Sequence, residues 1–405
     1  VNKDDFDGFI NSIPLSVKGS VITPNDYQVN ALKEGLFHRK RLLLSPTASG
    51  KSLIIYLAIR YHLKNFEDDI LLIVPRKALV EQMYTDFEDY SELDKDWNVL
   101  DNCHRIYGGK EKDGFKQRVV ITTWQSIYKL RAPWFERFGM VLGDEAHEYK
   151  AKSLTSILEK CTNAAFRIGA TGTLDDTQTH QLVLEGLFGK VYKVITTKKL
   201  MEDDILAQLQ IKMLLLKYGP EDCKIVKKTN YQEEIDFIVR YGPRNNFISN
   251  LALDQKGNTL VLFQFVSKHG KPLRDLIEEK NTKNKKIFYI SGETPVEDRE
   301  LVRSITEENN DVIIIASMGT FSTGINIKNL QNIIFSSPSK SQIRVLQSIG
   351  RGLRKSPDGS TTTVFDLVDD LSHGNKTNYA LKHGGERMKI YNKQEFSTEI
   401  HEVLI

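Results

Sequence analysis

Residues 45–52, Ser-Pro-Thr-Ala-Ser-Gly-Lys-Ser, have the composition of a loop that binds phosphate. The mostly apolar run 41–44 before them is typical of a strand, and the run 53–59 after them is typical of a helix. At a helix N-terminus the backbone N–H groups and the helix dipole favour an anion, a lysine can reach the β- and γ-phosphates, and a serine hydroxyl can ligate Mg²⁺. The pattern predicts a nucleotide cradle formed by Thr47, Ala48, Ser49, Gly50, Lys51 and Ser52. An ordinary strand-to-helix turn remains the alternative, because Ser45 stands where the Walker A pattern has its first glycine.

Two adjacent carboxylates, Asp144 and Glu145, follow the apolar run 140–143 about ninety residues after Lys51. Asp144 is suited to holding Mg²⁺ through its water shell, and Glu145 to polarising the water that attacks a γ-phosphate. His147 is placed to relay between domains. Since Asp-Glu pairs are also common on surfaces, this interpretation depends on the phosphate loop. A glycine-threonine turn at 169–173 follows the next strand and could hydrogen-bond the Asp-Glu loop.

A third group of residues has the spacing of one helix face: Gln347, Gly350, Arg351 and Arg354 stand at i, i+3, i+4 and i+7. Arginine is planar, permanently charged and able to bind phosphate through two parallel hydrogen bonds. We therefore predict that Gln347, Arg351 and Arg354 belong to the catalytic machinery and that the arginines reach a γ-phosphate held by the first half of the chain. A solvated basic helix is the alternative.

Two further segments carry residues suited to contact a nucleotide. Gln28 lies about two dozen residues before Lys51, and its amide could bond the Hoogsteen edge of adenine while Tyr27 packs beside the base. A surface glutamine on an amphipathic helix, with Asp26 as its cap, is the simpler alternative. In the segment 321–326, Gly324 permits close backbone approach, and Asn326 could touch both nucleotide and nucleic acid.

Composition limits the class of protein. The chain has 405 residues, 40% hydrophobic and 27% charged, enough for two domains of about two hundred residues. Three widely separated cysteines favour a reducing cytoplasm and have no metal-binding or disulfide spacing. The apolar runs have strand length, which argues against a transmembrane helix, and no signal peptide is evident. The net charge of +3 is too small to identify a nucleic-acid partner, which requires a local basic surface.

Short apolar runs alternate with helical patterns along the chain, which predicts an α/β fold of mostly parallel sheets with helices on both faces. The predicted strands lie near 70–74, 103–107, 118–122, 139–143, 165–169, 211–216, 259–263, 286–290, 312–316, 331–335 and 361–366. The predicted helices of the first half lie near 76–90, 124–130, 153–160 and 178–187. We divide the chain into a lead-in at 1–22, interpreted as a remnant of an N-terminal domain, a first domain at 23–196, and a second domain with a C-terminal tail at 197–405.

Loops after several strands carry groups that suit contacts to a nucleic-acid backbone. Ligands of a parallel sheet bind at the carboxyl ends of its strands, so these loops should share one edge. The residues predicted to contact nucleic acid are Arg76, Lys77, Thr123, Trp124 and Gln125 in the first domain and Lys268 and Thr323 in the second. For Trp124, packing within the domain is favoured over stacking on a base.

The ordered set YQ, SPTASGKS, VPRKAL, TTWQS, DEAH, GATGT, LVLFQF, STGIN and QSIGRGLR resembles the motifs of superfamily 2 helicases. In detail the chain is similar to the bacteriophage UvsW-type recombination helicases, particularly in TTWQS, TKKLMED, YQEE, FSTG and YALKHG. The resemblance implies two RecA-like domains with ATP and Mg²⁺ bound in the cleft between them. It also implies unwinding or branch migration of forks, D-loops, R-loops and junctions, with RNA–DNA hybrids among the substrates. Ser45, Gly143 and Gly169 depart from the usual motifs without removing a ligand or a charge.

Three other functions stay open at this point. One is an ATP-dependent RNA helicase, which the Pro-Arg-Lys-Ala loop and the Gln347 motif disfavour. Another is a module that translocates on duplex DNA without separating strands, as in restriction enzymes. A nucleotide-gated binding module is the least favoured, since Lys51, Glu145 and Arg354 are all present. We expect a monomer that acts on DNA without sequence preference, in the host-cell cytoplasm if a phage encodes it.

Overall fold

The computed structural model describes residues 3–46, 49–108, 112–149, 151–172, 174, 178–203, 205, 209–324, 327, 329–338 and 361–405. The chain forms two compact units, residues 1–196 and residues 197–405. Across the described ranges, no helix combines the length and apolar character needed to cross a membrane.

The first unit begins with a helix and a short hairpin and continues as alternating strands and helices. Its strands are β1 Ser16–Val17, β2 Ser20–Val21, β3 Lys40–Leu44, β4 Asp69–Val74, β5 Cys103–Ile106, β6 Val119–Thr123, β7 Phe138–Gly143, β8 Phe166–Thr171 and β9 Val191–Lys193. Its helices are α1 Lys3–Ser12, α2 Asp26–His38, α3 Lys51–Asn65, α4 Lys77–Ser91, α5 Val99–Asn102, α6 Trp124–Ile127, α7 Ala132–Phe135, α8 Ala151–Lys160 and α9 Gln178–Phe188. A 3₁₀ turn, Ala146–Glu148, follows β7.

Seven strands of this unit form one parallel sheet in the order β5-β6-β4-β7-β8-β3-β9. Separate apolar clusters cover the two faces, one including Leu53, Tyr56 and Phe87 and the other including Leu154 and Phe188. The predicted α/β class is confirmed for this unit. Because every strand is parallel, the loops that follow β3, β4, β6, β7 and β8 all lie at the carboxyl edge.

Gly143 and Gly169 are direct partners in the register of β7 and β8. A methyl group added to either would come within 2.9 Å of the ring of Phe188, which is fully buried. Both departures from the usual motifs therefore have a packing reason: the ring of Phe188 occupies the space that a side chain would need.

The lead-in is part of the first unit's core. Phe6 and Phe9 of α1 are buried, and the ring of Phe9 meets that of Tyr61 edge to face at 5.1 Å between centroids. The cap of α2 differs from the sequence prediction, since Asn25, not Asp26, is the N-cap residue. The backbone N–H of Asn25 donates to Oε1 of Gln28 at 2.8 Å, which completes a capping box.

The second unit repeats the architecture. Its strands are β10 Leu209–Lys217, β11 Thr259–Phe263, β12 Ile287–Ile290, β13 Ile313–Ser317, β14 Asn332–Phe335, β15 Thr362–Asp370 and β16 Ser397–Leu404. Its helices are α10 Thr197–Glu202, α11 Pro220–Val226, α12 Tyr231–Arg240, α13 Gly242–Asp254, α14 Lys271–Glu279, α15 Val296–Glu308, α16 Met318–Gly324 and α17 Tyr379–Lys393, with a π turn at Val266–Gly270. The sheet is parallel throughout, in the order β12-β13-β11-β14-β15-β10-β16.

Two buried ion pairs anchor helices to β15. Asp369 accepts from Nε of Arg244 at 2.6 Å and from Nη2 at 3.0 Å, and both side chains are fully buried. Asp366 accepts from Nε of Arg387 at 2.8 Å and from the hydroxyl of Tyr391 at 2.8 Å. Sequence reasoning identified neither pair. Nor did it identify the short strands β1, β2 and β9, or β16, whose polar residues lack the apolar run by which the longer strands were found.

Candidate nucleotide site and nucleic-acid loops

The phosphate loop joins the end of β3 to the start of α3, as its sequence predicts. Gly50 is the N-cap residue of α3 with φ 76° and ψ 41°, a left-handed conformation that glycine adopts without strain. The hydroxyl of Ser45 lies 2.5 Å from that of Ser49, which in turn donates to the carbonyl of Pro46 at 2.7 Å. Ser45, which stands where the usual motif has its first glycine, therefore stabilises the loop through its hydrogen bond to Ser49.

Gln28 is buried and bonds this loop directly. Its Nε2 donates to the carbonyl of Ser49 at 2.9 Å, while its Oε1 is occupied by the N-cap residue Asn25. A methyl group added at Gly50 would lie 2.2 Å from the same Nε2. Both ends of the amide therefore bond the chain itself, and each end keeps one further hydrogen-bonding position, so the contact with adenine stays a prediction. Tyr27 is half-buried beside it.

Lys51 and Glu145 meet at the carboxyl edge of the sheet. Nζ of Lys51 lies 3.3 Å from Oε1 of Glu145, and Oε2 of Glu145 lies 3.5 Å from Nδ1 of His147. Glu145 has φ 47° and ψ 48°, a left-handed conformation that is strained for a residue with a side chain. Such strain persists where the surroundings determine the geometry, and it turns this carboxylate towards the lysine of the phosphate loop.

The two adjacent carboxyl groups differ in environment. Burial, together with the charge of Glu145, raises the pKa of Asp144, whose Oδ1 has no hydrogen-bond partner among the described residues. Burial acts on Glu145 in the same direction, but the charges of Lys51 and His147 outweigh it and hold the pKa of that carboxyl below its usual value. Environments that separate the pKa values of neighbouring acids typically assign them different roles. Glu145, which stays ionised, is suited to orient and polarise a water.

The loop after β7 is tied to the loop after β8. Nδ1 of His147 lies 2.6 Å from the hydroxyl of Thr171, the hydrogen bond that sequence reasoning expected from the glycine-threonine turn. The hydroxyl of Tyr149 contacts the carbonyls of Ile73 and Asp144, each at 2.6 Å. Tyr149 was missed, although its place four residues after Glu145 is a signal that could have found it.

The residues present fit the Mg²⁺ ion that the sequence implies. Asp144 offers a buried carboxylate oxygen without a partner, and Mg²⁺ usually takes one or two carboxylates together with substrate phosphates. Within the described ranges, no group of three or more His, Cys, Asp or Glu side chains offers another metal site. The hydroxyl of Ser52 lies 2.8 Å from that of Tyr90 on α4, a contact that nothing in the sequence indicated.

Loops after the neighbouring strands β4 and β6 carry the residues predicted to contact nucleic acid. Nε2 of Gln125 donates to the carbonyl of Pro75 at 3.2 Å, which joins the two loops. Arg76 is half exposed and pairs with Glu148 at 3.0 Å. Lys77 lies over the ring of Tyr107 at 4.9 Å. A phosphate bound here would therefore compete with Glu148 for Arg76.

Thr123 is buried, Trp124 is half-buried, and both side chains contact other side chains of the unit. The hydroxyl of Thr123 is bonded to that of Ser126 at 2.8 Å, and the side chain is nearly buried. Trp124 packs edge to face on Tyr128, as the interpretation as a packing residue expects. Contact of Thr123 with a nucleic acid would therefore fall to its backbone or require rearrangement.

In the second unit, Lys268 pairs with Asp236 and lies 4.2 Å from the centre of the Phe265 ring. Six of the predicted site residues lie outside the described part of the chain: Thr47, Ala48, Asn326, Gln347, Arg351 and Arg354. Thr323 and Gly324 end α16, and the side chain of Thr323 likewise falls outside it.

Two family models match the chain. Residues 21–176 match the res subunit of type III restriction enzymes, and residues 243–356 match the helicase conserved C-terminal domain. The chain is also similar in fold to a fragment structure of a putative HsdR subunit of a type I restriction enzyme from Vibrio vulnificus YJ016. The match covers 100% of this chain and 72% of the HsdR chain, with a TM-score of 0.69 and a sequence identity of 16%.

Viral proteins are also similar in sequence. Putative helicase 22 of Sulfolobus islandicus filamentous virus is 22% identical over 85% of this chain and 64% of its own length. The ATP-dependent DNA helicase uvsW of Enterobacteria phage T4 is 38% identical over 413 residues, which cover 98% of this chain and 80% of that protein. With this degree of identity along nearly its whole length, and with two α/β units that carry the expected motifs in order, the chain belongs to the superfamily 2 helicases, in the family of the phage T4 helicase UvsW.

Proposed function

We propose that this protein is an ATP-dependent DNA helicase that unwinds or branch-migrates forked and recombination DNA. The observation that carries the proposal is the 3.3 Å approach of Nζ of Lys51 to Oε1 of Glu145. It brings a phosphate-binding cation and a carboxylate that can polarise an attacking water to one edge of a parallel sheet, as γ-phosphate hydrolysis requires. The similarity to a phage DNA helicase supports DNA as the substrate.

Within the site, the loop 47–52 holds the phosphates of ATP and Lys51 neutralises the β- and γ-phosphates. Glu145 orients and polarises the attacking water, because its carboxyl stays ionised. Ser52 and Asp144 would hold Mg²⁺, Asp144 through water. When bound, this ion neutralises charge on the phosphates. Tyr27 and Gln28 lie on the adenine side of the loop.

Residues of the second unit complete the reaction in this proposal. Arg351 and Arg354 stabilise the charge that develops on the γ-phosphate, Gln347 belongs to the same helix face, and Gly324 and Asn326 approach the nucleotide. Residues of both units then contribute to ATP hydrolysis. An arginine that acts this way contributes about a thousandfold or more to turnover, so Arg354→Ala should lose about that factor.

DNA would run along loops that hold its phosphates: Arg76, Lys77, Thr123, Trp124 and Gln125 in the first unit, Lys268 and Thr323 in the second. Contacts to phosphates give weak sequence preference and a steep loss of affinity with salt. Closure on ATP would shift one set of loops against the other and move the chain along the DNA. We infer a monomer that works on junctions, RNA–DNA hybrids included, in the cytoplasm of the infected host.

The test compares ATPase stimulation and strand separation on four nucleic acids of matched length: forked DNA, a four-way junction, linear duplex DNA and RNA. Lys51→Ala serves as the inactive control. We expect unwinding of the fork and the junction. Equal ATPase stimulation by linear duplex without strand separation would instead identify a duplex translocase, and stimulation by RNA alone would identify an RNA helicase.

A further inference from the structure

The second unit contains an open cavity of about 430 Å³ that is lined only by lysine, asparagine, glutamine and aspartate residues. The side chains that matter for the argument are those of Lys256, Lys283, Lys285, Lys286, Asn309 and Asp311. Three of the lysines come from the segment between α14 and β12, a basic segment of the sequence to which the proposed function assigns no role. The remaining residues belong to the loops before β11 and β13.

Three of the four lysine ammonium groups have polar partners among the described residues. Nζ of Lys283 lies 3.1 Å from Oδ1 of Asp254, and Nζ of Lys286 donates to Oδ1 of Asn309 at 2.8 Å. The side chain of Lys285 is only 6% exposed and its Nζ lies 3.5 Å from Asp311. Side chains that are already ordered lose less conformational entropy when they bind. The cavity is therefore organised for a ligand more than a set of freely moving surface lysines would be.

The charge of the lining favours an anion. Four lysines stand against two aspartates, Asp254 and Asp311, which leaves a surplus of two positive charges. Asparagine side chains at 284, 309 and 310 add amide donors. Lysine ammonium and amide groups are the donors that bind phosphate oxygens of a nucleic-acid backbone.

The lining also argues against a small nucleotide. Pockets for small organic ligands are lined mainly by apolar and aromatic side chains, and this one has none. Without a surface on which a base could stack, the site would recognise phosphates alone. A polymer that brings several phosphates at once matches this chemistry better than a free nucleotide does.

The cavity lies at the amino edge of the sheet. Lys256 precedes β11, Lys286 precedes β12 and Asp311 precedes β13, whereas Lys268 follows the end of β11. Since β11 has five residues, the two edges are separated by about 17 Å, at a rise of about 3.3 Å per residue. That separation exceeds the reach of a lysine side chain, so the cavity and the loop of Lys268 are distinct places on this unit.

We propose that this cavity binds the phosphate backbone of a second arm of a branched DNA substrate, apart from the strand held at the carboxyl edge. The proposal rests on the proposed function, because it needs DNA at that edge. A fork or junction extends arms in different directions, and an arm that reaches the amino edge adds phosphate contacts that a short linear strand cannot supply. The site thus favours branched over linear DNA through the number of its phosphate contacts.

The experiment compares the triple variant Lys256→Gln, Lys283→Gln, Lys286→Gln with a control that loses the same charge elsewhere on the unit. The control is Lys198→Gln, Lys224→Gln, Lys389→Gln, three exposed lysines that lie outside the cavity lining and pair with carboxylates. Lys285 stays unchanged because it is buried. Affinity for a four-way junction and for a short single strand is measured from low to moderate salt, with melting temperature as a check on folding.

For binding of the triple variant to the junction, we expect the negative slope of log affinity against log salt concentration to become shallower by about two to three. We expect its affinity for the junction at low salt to fall by about tenfold or more. Binding of the short strand and its stimulation of ATPase stay at wild-type values, as does all binding by the control. Lys→Arg replacements at the three positions should restore the slope. An unchanged slope, an equal loss in the control, or an equal loss on the short strand would overturn the proposal.

Inorganic tripolyphosphate tests whether the cavity binds a small anion instead of DNA. If the triple variant loses tripolyphosphate binding while its junction slope stays normal, the cavity is a small-anion site and the proposal is wrong. If the proposed function itself is wrong, the result is different: the wild-type protein shows no DNA-stimulated ATPase activity on any of the substrates.

Discussion

The ammonium group of Lys51 lies 3.3 Å from the carboxylate of Glu145, although β8 separates their strands, β3 and β7, in the sheet. The contact depends on the parallel arrangement, which delivers both loops to one edge. It also depends on the left-handed backbone of Glu145, which turns the carboxylate towards the phosphate loop. This relationship allows the roles of the two residues to be separated by experiment.

Lys51→Ala should weaken both binding and hydrolysis of ATP, because the lysine contacts phosphates in the ground state and in the transition state. Glu145→Gln should keep binding and lose turnover by about a hundredfold or more, because only the carboxylate that orients and polarises the attacking water is removed. Nucleotide titration and steady-state ATPase assays measure the two quantities. Equal affinity of wild type and Lys51→Ala for ATP would contradict the assignment of the phosphate loop.

Gln28 should act on every triphosphate, because its amide bonds the backbone of the phosphate loop. Gln28→Glu keeps the oxygen that caps α2 but places a carboxylate against the carbonyl of Ser49. We expect affinity for ATP and for GTP to fall by similar factors of about tenfold, the cost of about one hydrogen bond to a charged or misplaced group. A loss confined to ATP would instead indicate that Gln28 reads adenine.

Tyr90 should set the Mg²⁺ requirement of nucleotide binding through the hydroxyl of Ser52. A serine oxygen that ligates a metal donates its proton to another acceptor, and removing such a partner typically costs about tenfold or more in metal affinity. Tyr90→Phe should therefore raise the Mg²⁺ concentration needed for half-maximal ATP binding while metal-free nucleotide binding stays unchanged. Tyr84→Phe, on the same helix, is the control. Equal Mg²⁺ curves for the two variants would refute this role.

The buried pair of Arg244 and Asp369 should be costly to break. Asp369 accepts from Tyr218 as well as from Arg244, and neither the arginine nor the aspartate is exposed. Arg244→Met leaves a carboxylate buried without its cation and should lower the free energy of unfolding of the second unit by about 3–5 kcal/mol. Arg240→Met, at the exposed end of α12, should change it by less than about 0.5 kcal/mol. Denaturant unfolding measures both.

Stability should fall as the pH is lowered below about 6.5. Burial lowers the pKa of His62 to about 4, and burial together with the charge of Arg244 lowers that of His269 to about 3. Between these values and 6.5 the unfolded chain binds more protons than the folded chain, so each group costs up to about 1.4 kcal/mol per pH unit. Denaturant unfolding of His62→Phe at pH 7.5 and 5.5 should show a smaller loss than wild type. An identical loss would count against a neutral His62.

The amino-acid sequence determined the alternation of strands and helices and the motifs at their ends. The predicted strand 259–263 agrees with β11 in every residue, and 70–74 differs from β4 by one residue, because fully buried parallel strands appear as short uninterrupted apolar runs. The phosphate loop and the Asp-Glu pair were found for a similar reason. Their chemistry needs particular residue types at short spacing, and that requirement is local.

Tertiary structure decided which partners these groups take. The bonds of Gln28 to Ser49, of Ser52 to Tyr90 and of Arg244 to Asp369 join residues 21, 38 and 125 positions apart. No local sequence pattern identifies such pairs, because a glutamine, tyrosine or arginine is the same letter in the sequence whether its side chain faces solvent, a ligand or the protein. Packing selects among these alternatives, because a buried polar group must find a partner wherever the fold supplies one.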